Sequence, residues 1–198
     1  MHKTLEHTAR KPMESRGQIL LSLARDTIAR ELGLSHDGGA REAWLREPGA
    51  VFVTLKERGD LRGCMGTLEA YRPLADDVRS NALAAAFRDP RFPPLRAGEL
   101  DLVQVEVSEL SPLTEIHFTC EAEAAAHLRP GIDGVVLRWG ERRGTFLPQV
   151  WEHYPAATDF LRGLKRKAGL SAAFWDPAVR LFRYTVIRHT DPIPSLVA

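Results

Sequence analysis

The chain has 198 residues, of which 44% are hydrophobic and 27% charged, with a formal net charge of +1. It therefore reads as an ordinary soluble globular protein with one substantial core or two closely packed lobes. No apolar run approaches the roughly 20 residues needed to span a bilayer, and Met1 to His7 lacks the apolar segment of a secretory signal, so a cytoplasmic, non-membrane protein is expected. The two cysteines, Cys64 and Cys120, have no CxxC partner; they are too few for a disulfide framework and suit a reducing compartment. The seven histidines are scattered without HExxH or another ligand spacing, so no metal site is expected. GxGxxG, P-loop and GxSxG patterns are missing as well.

In chain order, Ser15-Arg16-Gly17-Gln18 has the Ser-x-x-Gln form of a capping box. Ile19, Leu20, Leu23, Ala24, Ile28 and Leu32 follow at helical spacing, ending before Gly33. Residues 33–50 read as a loop with one short helical turn near Ala43 and Leu45. Val51 to Lys56 is a strand, Glu57-Arg58-Gly59-Asp60 a polar turn, and Leu61 to Gly66 the returning strand. Pro73 opens a second helix with an alanine-rich face, Asp76 and Asp77 lie near its N-terminal dipole, and Asp89-Pro90 stops it. Leu102 to Leu110 alternates as a strand, and Glu121 to Leu128 is a short helix ended by Pro130-Gly131. Val135 to Trp139 and Arg142 to Leu147 form a hairpin around Gly140. A basic helix over Asp159 to Ala168 closes at Gly169, and Arg180 to Ile187 is a last strand with Phe182, Tyr184 and Val186 on one face.

These elements predict an α+β fold: antiparallel or mixed β-sheets flanked by helices, in a larger and a smaller lobe joined near residues 110–130. One domain over 15–190 is expected, with an N-terminal extension, 1–14, and a C-terminal tail, 191–198. The first helix and the last strand are expected in the lobe of the first hairpin. A crevice between lobes is the default place for a ligand.

The segment Leu61-Arg62-Gly63-Cys64-Met65-Gly66 carries the strongest chemical signal. Strand alternation puts Arg62, Cys64 and Gly66 on one face, with the glycines Gly63 and Gly66 allowing close approach. A thiol beside a guanidinium is consistent with a stabilised thiolate or the floor of a binding site. It is equally consistent with a packing device, since free cysteine is commonly buried. The loop Arg88-Asp89-Pro90-Arg91-Phe92 is the second constellation: Arg88 and Arg91 suit a carboxylate or phosphate and Phe92 a stacked base. Alternatively, Asp89 pairs with an arginine and Phe92 plugs the core. The polar stripe Gln104, Glu106, Ser108 could supply a proton-transfer group and a hydrogen bond to a cleft, or be the solvated face of a sheet. Gln149 could reach a cleft, or simply follow a strand that Pro148 terminates.

Charge is uneven along the chain. Glu99 to Glu123 holds seven acids and no Lys or Arg, whereas Arg129 to Arg188 holds eleven basic residues against five acidic ones. This pattern would orient an anionic partner, or cancel across the fold. Lys165-Arg166-Lys167, Arg142 and Arg143 are the candidates for nucleic acid.

The hexapeptide Leu61 to Gly66 resembles the signature of the AMMECR-type domain family, also called AmmeMemoRadiSam system protein A. Phe87-Arg88-Asp89-Pro90-Arg91-Phe92 resembles its downstream loop. Gly134 to Leu137 with Arg142 to Val150 resembles its second hairpin, and Lys167 to Leu170 with Trp175 and Asp176 its closing segment. The resemblance covers residues 15–188, with Met65 standing where the family has an aliphatic residue. It implies an α+β protein of two lobes, and partners of two kinds: a Memo-type protein and a radical S-adenosylmethionine enzyme. Enzymatic, nucleic-acid-related and protein-interaction roles all fall within what it implies. In the enzymatic reading Cys64 is the nucleophile or redox group, Arg62 stabilises its thiolate and Glu106 transfers protons. No histidine has a claim as the base. An S-adenosylmethionine or iron–sulfur cofactor on this chain is not expected, because three clustered cysteines are missing.

Overall fold

The computed structural model describes residues 15–34 and 42–192, so the extension 1–14 and the tail beyond Pro192 lie outside the described residues. Helix α1 (Arg16–Glu31) begins at the anticipated box: the Ser15 hydroxyl accepts from the Gln18 amide at 3.3 Å, and the Gln18 side chain accepts from the Ser15 amide at 2.8 Å. Strands β1 (Ala50–Glu57) and β2 (Asp60–Gly66) form the first hairpin. Its two-residue loop, Arg58 and Gly59, has positive φ at both positions (53° and 91°), as a type I′ turn requires. Helix α2 (Leu74–Phe87) and strand β3 (Val103–Leu110) complete the first half.

The second half holds β4 (Thr114–Ile116), α3 (Glu121–Ala126), the hairpin β5 (Gly134–Trp139) and β6 (Arg142–Phe146), a 3₁₀ turn over Pro148–Glu152, and α4 (Ala157–Lys167). The anticipated last strand is two strands, β7 (Arg180–Tyr184) and β8 (Val186–Thr190), in different sheets. The first sheet has the order β2-β1-β3-β8 and the second β4-β7-β5-β6, and every pairing is antiparallel. Only the β8 part of the last strand thus shares the lobe of the first hairpin. Thr185 is the crossing point: the Ser111 amide donates to the Thr185 carbonyl at 2.9 Å, and the Thr185 amide donates to the Ser111 hydroxyl at 3.0 Å. The apolar alternation Phe182, Tyr184, Val186 runs through this crossing because all three contribute to the contact between lobes.

Each sheet buries one face under helices. Val51, Val53, Leu55, Val103, Val105 and Val107 pack against Leu20, Leu23, Ala24 and Ile28 of α1 and Val78, Ala82 and Ala85 of α2. A fully buried aliphatic side chain of this kind contributes about 1.5–3 kcal/mol, so this interface dominates the stability of the first lobe. Buried Asp77 ties α2 to the sheet, accepting from the Val51 amide at 2.9 Å, the Thr67 hydroxyl at 2.8 Å and Asn81 Nδ2 at 3.0 Å. In the second lobe, Phe160, Leu161 and Leu164 of α4 cover Val135, Leu137 and Leu181. A third cluster joins the lobes, with Ala50 and Leu110 of the first sheet against Val136, Phe182 and Tyr184 of the second. Glu69 adds ion pairs across the junction to Arg138 at 2.6 Å and to Arg143. One end of the first sheet's outer face is closed by this contact, and Val186 and Arg188 of β8 line a cavity against the second lobe.

Candidate functional site

The face that carries Cys64 is set by register. A two-residue turn alone would place Leu55 opposite Arg62, but the ladder shifts at Leu55/Lys56, so that Leu55 faces Gly63 and Thr54 faces Cys64. Arg62 is the extra residue of this β-bulge. Its guanidinium turns to Glu99, at 3.1 Å from Nε and 3.0 Å from Nη2, and does not pair with Cys64 as the alternation predicts. Gly63 is also on the helix side: a Cβ there would lie 2.1 Å from the Ala85 carbonyl oxygen of α2. Gly66 leaves no open room, because a Cβ on it would meet the Phe52 ring at 2.2 Å. Both glycines are therefore packing contacts in this fold.

The residues around Cys64 come from β1 and from the loop after α2. The Cys64 amide points away from β1 and donates to Asp89 Oδ2 at 2.9 Å, while Arg91 Nη2 reaches the Cys64 carbonyl at 3.4 Å. The Asp89–Arg91 pair, closed by a 2.6 Å contact, thus occupies the rung that a further strand would fill. An outward amide makes Thr54↔Cys64 a non-hydrogen-bonded pair, the geometry that brings side chains closest. The Thr54 hydroxyl accordingly donates to Cys64 Sγ at 3.2 Å. The thiol is half-buried, and the guanidinium held at its residue is that of Arg91. Asp89 is buried, and its carboxyl is held well below the usual range chiefly by the hydrogen bonds from Arg91, against the opposing effect of burial.

Beside Thr54 on the same face stands Glu106, and beside Phe52 stands Ser108. Both are buried, so the stripe is not a solvated sheet face. Glu106 accepts from Lys56 Nζ at 3.1 Å and pairs with Arg188 Nε at 3.1 Å. Both oxygens of Glu106 are thus engaged by cations, and in this arrangement it positions the two basic groups. Arg188 in turn lines a cavity of about 720 Å³ between the lobes, together with Thr185, Val186, Ile132, Trp151 and the exposed Gln149. Gln149 does reach a cleft, on the 3₁₀ turn that follows Pro148. Arg88 is exposed and its side chain has no hydrogen bond or ion pair among the described residues. Phe92 is half-buried, with the Arg91 guanidinium 5.5 Å from its ring centroid.

The first two of the segments that carried the resemblance therefore meet at one backbone rung, and a family model for AMMECR1 matches residues 21–189. The chain belongs to the AMMECR1 family. A relative from Methanothermobacter thermautotrophicus is 40% identical over 153 residues, covering 74% of this chain and 78% of the relative. One from Thermotoga maritima is 43% identical over 150 residues, covering 75% and 80%. The solved structure of an uncharacterised protein from Pyrococcus horikoshii is similar with a TM-score of 0.78 at 31% identity, covering 90% of this chain and 92% of that one.

Three side chains of this AMMECR1 domain, Thr54, Lys56 and Arg188, complete the site and carry no local signal in the sequence. Part of the charge asymmetry is paired within the chain, where Glu106 meets Arg188, Glu115 meets Arg180 and Glu121 meets Lys165. Lys165, 1% exposed, is thus removed from the basic surface proposed for nucleic acid, and Arg143 is committed to Glu69. Arg142 reaches the Gly169 carbonyl, which leaves Arg166 and Lys167 as the exposed members of that group without a side-chain hydrogen bond or ion pair among the described residues. No helix among the described residues is long and apolar enough to cross a membrane.

Proposed function

We propose that this AMMECR1-family protein is a component of a modification pathway, acting with a Memo-type protein and a radical S-adenosylmethionine enzyme, and that the crevice at Cys64 is its working site. The observation that supports the site is the three-way hold on one residue. Asp89 takes the Cys64 amide, Arg91 approaches its carbonyl, and the Thr54 hydroxyl donates to its sulfur. A half-buried thiol that receives an O–H donor beside a guanidinium is arranged as a nucleophile or redox group. In this reading Arg91 replaces Arg62 as the stabilising cation, and Glu106 holds Lys56 and Arg188 ready for an anionic substrate group.

The test is alkylation of Cys64 in the native full chain with iodoacetamide at neutral pH, with the exposed Cys120 as internal reference. Labelling of Cys64 in the folded protein, slowed relative to Cys120 by Thr54→Val and by Arg91→Ala, supports the thiol role. Labelling only after unfolding removes it and makes Cys64 a structural residue of an interaction module. The pathway assignment is tested separately, by co-purification of the tagged protein with the two partner proteins; their absence from the eluate counts against it.

A further inference from the structure

The two edges of the first sheet are treated differently. At the β2 edge, the Asp89–Arg91 pair takes up the outward amide and carbonyl of Cys64. At the other edge, no described strand pairs with β8. The direction of its backbone groups follows from the ladder. The Ser111 amide donates to the Thr185 carbonyl and the Asp191 amide to the Val105 carbonyl, so odd-numbered residues here bond inward to β3. Val186, Arg188 and Thr190 therefore present their N–H and C=O outward, and their side chains lie on the face that carries Cys64, opposite Leu110, Ser108 and Glu106. Val186 and Arg188 are also lining residues of the 720 Å³ cavity, whose far wall is built from Ile132, Pro148 and Trp151.

An open strand edge bordering a cavity of mixed lining, with Ile132, Pro148 and Trp151 beside Gln149 and Glu152, is an arrangement by which an extended peptide is bound: the edge supplies main-chain hydrogen bonds and the cavity takes alternate side chains. Arg188 sets the charge of the occupant. Its Nε is committed to Glu106, while the side chain remains 52% exposed. A residue opposite Arg188 on an added strand must therefore be acidic, with apolar neighbours two positions away to meet the cavity wall. A second copy of the chain fits less well, since the centred two-fold pairing of β8 with β8 would set Arg188 against its own copy. We infer that the β8 edge and the adjoining cavity form a docking site for an extended, acidic-and-apolar segment of a partner protein. It shares Arg188 with the site at Cys64 but makes no use of the thiol, so peptide binding and Cys64 alkylation test the two readings separately.

The probe is a fluorescein-labelled, capped peptide Val-Thr-Glu-Thr-Val, titrated with the full chain and read by anisotropy. Saturable binding with a dissociation constant below about 1 mM is expected. Replacing the peptide's Glu by Lys, or Arg188→Gln in the protein, weakens it by about tenfold. Thr190→Pro deletes an outward N–H while leaving the ladder to β3 intact, and weakens it as well. Thermal unfolding of both variants separates lost binding from lost fold: Thr190→Pro that unfolds with the wild-type midpoint and binds as the wild type overturns edge pairing. No saturable binding, or binding indifferent to the Glu-to-Lys change, overturns the proposal. Concentration-dependent dimerisation of the free chain, abolished by Thr190→Pro, overturns it in favour of a second copy.

Discussion

The Asp89 carboxylate accepts the backbone N–H of Cys64 at 2.9 Å, across 25 positions of sequence, and so couples the loop after α2 to the edge of β2. The same carboxylate holds Arg91 through Nε and Nη2 and is itself buried. Its replacement by Asn leaves one donor-bearing group against an N–H and a guanidinium that both require acceptors. Asp89→Asn is expected to lower stability by about 1–3 kcal/mol, measured as the shift in urea midpoint at constant m-value. Faster exchange of the Cys64 amide should accompany it.

Acid sensitivity follows from the same residue. The native Asp89 carboxyl lies below its ordinary value of 3.8, mainly because Arg91 bonds the ionised form. A native value below the unfolded one means that the unfolded chain binds more protons in the acid range. The stabilisation is complete above about pH 4 and is lost as pH falls below that towards the native value. In Glu99 burial pushes upward, but the Arg96 amide and the Arg62 guanidinium outweigh it and the net shift is also down, with the same sign of effect. Urea midpoints should therefore fall on acidification below about pH 4, and Asp89→Asn should flatten that decline.

Gly63 and Gly98 form a matched pair for testing backbone proximity. A methyl on Gly63 would stand 2.1 Å from the Ala85 carbonyl oxygen, which belongs to a helix and cannot swing aside. Around Gly98 nothing lies within 4 Å of the added atom. Gly63→Ala is expected to cost about 2 kcal/mol or more by pushing α2 off the hairpin, while Gly98→Ala stays within about 0.5 kcal/mol. Chemical denaturation of the two variants side by side decides it.

Glu106→Gln keeps the shape of the side chain and removes the anion shared by Lys56 and Arg188. Two cations then face each other on one sheet face without their bridge. The expected loss is about 1–3 kcal/mol at low salt, reduced as ionic strength screens the repulsion. A salt series of thermal midpoints for both proteins measures it.

Elements whose signals are local were legible in the sequence. Ser15 and Gln18 specify their own cap, Gly140 and Gly169 adopt the positive φ that their turns require, and the alternation over β3 gives its faces directly. The site was legible only in part, because its decisive feature is a register. The positions of Cys64, Asp89 and Arg91 followed from motifs, but the bulge at Arg62, which exchanges one arginine for another beside the thiol, depends on how β2 packs against Ala85. Thr54 becomes a partner of Cys64 only through that one-residue shift. Strands β7 and β8 read as one because the division at Thr185 is imposed by contact with Ser111, 74 residues away.

Ser111 and Thr185 also fix where the two lobes are joined in the chain. Among the described residues the chain passes from one lobe to the other only at these two places, and they are bonded to each other. The double passage sits beside the buried contact of Val136, Phe182 and Tyr184 with Ala50 and Leu110, so covalent and packing links coincide. Cys64, Thr54 and Glu106 lie on one sheet, so their mutual spacing is set by strand register and owes nothing to the second lobe.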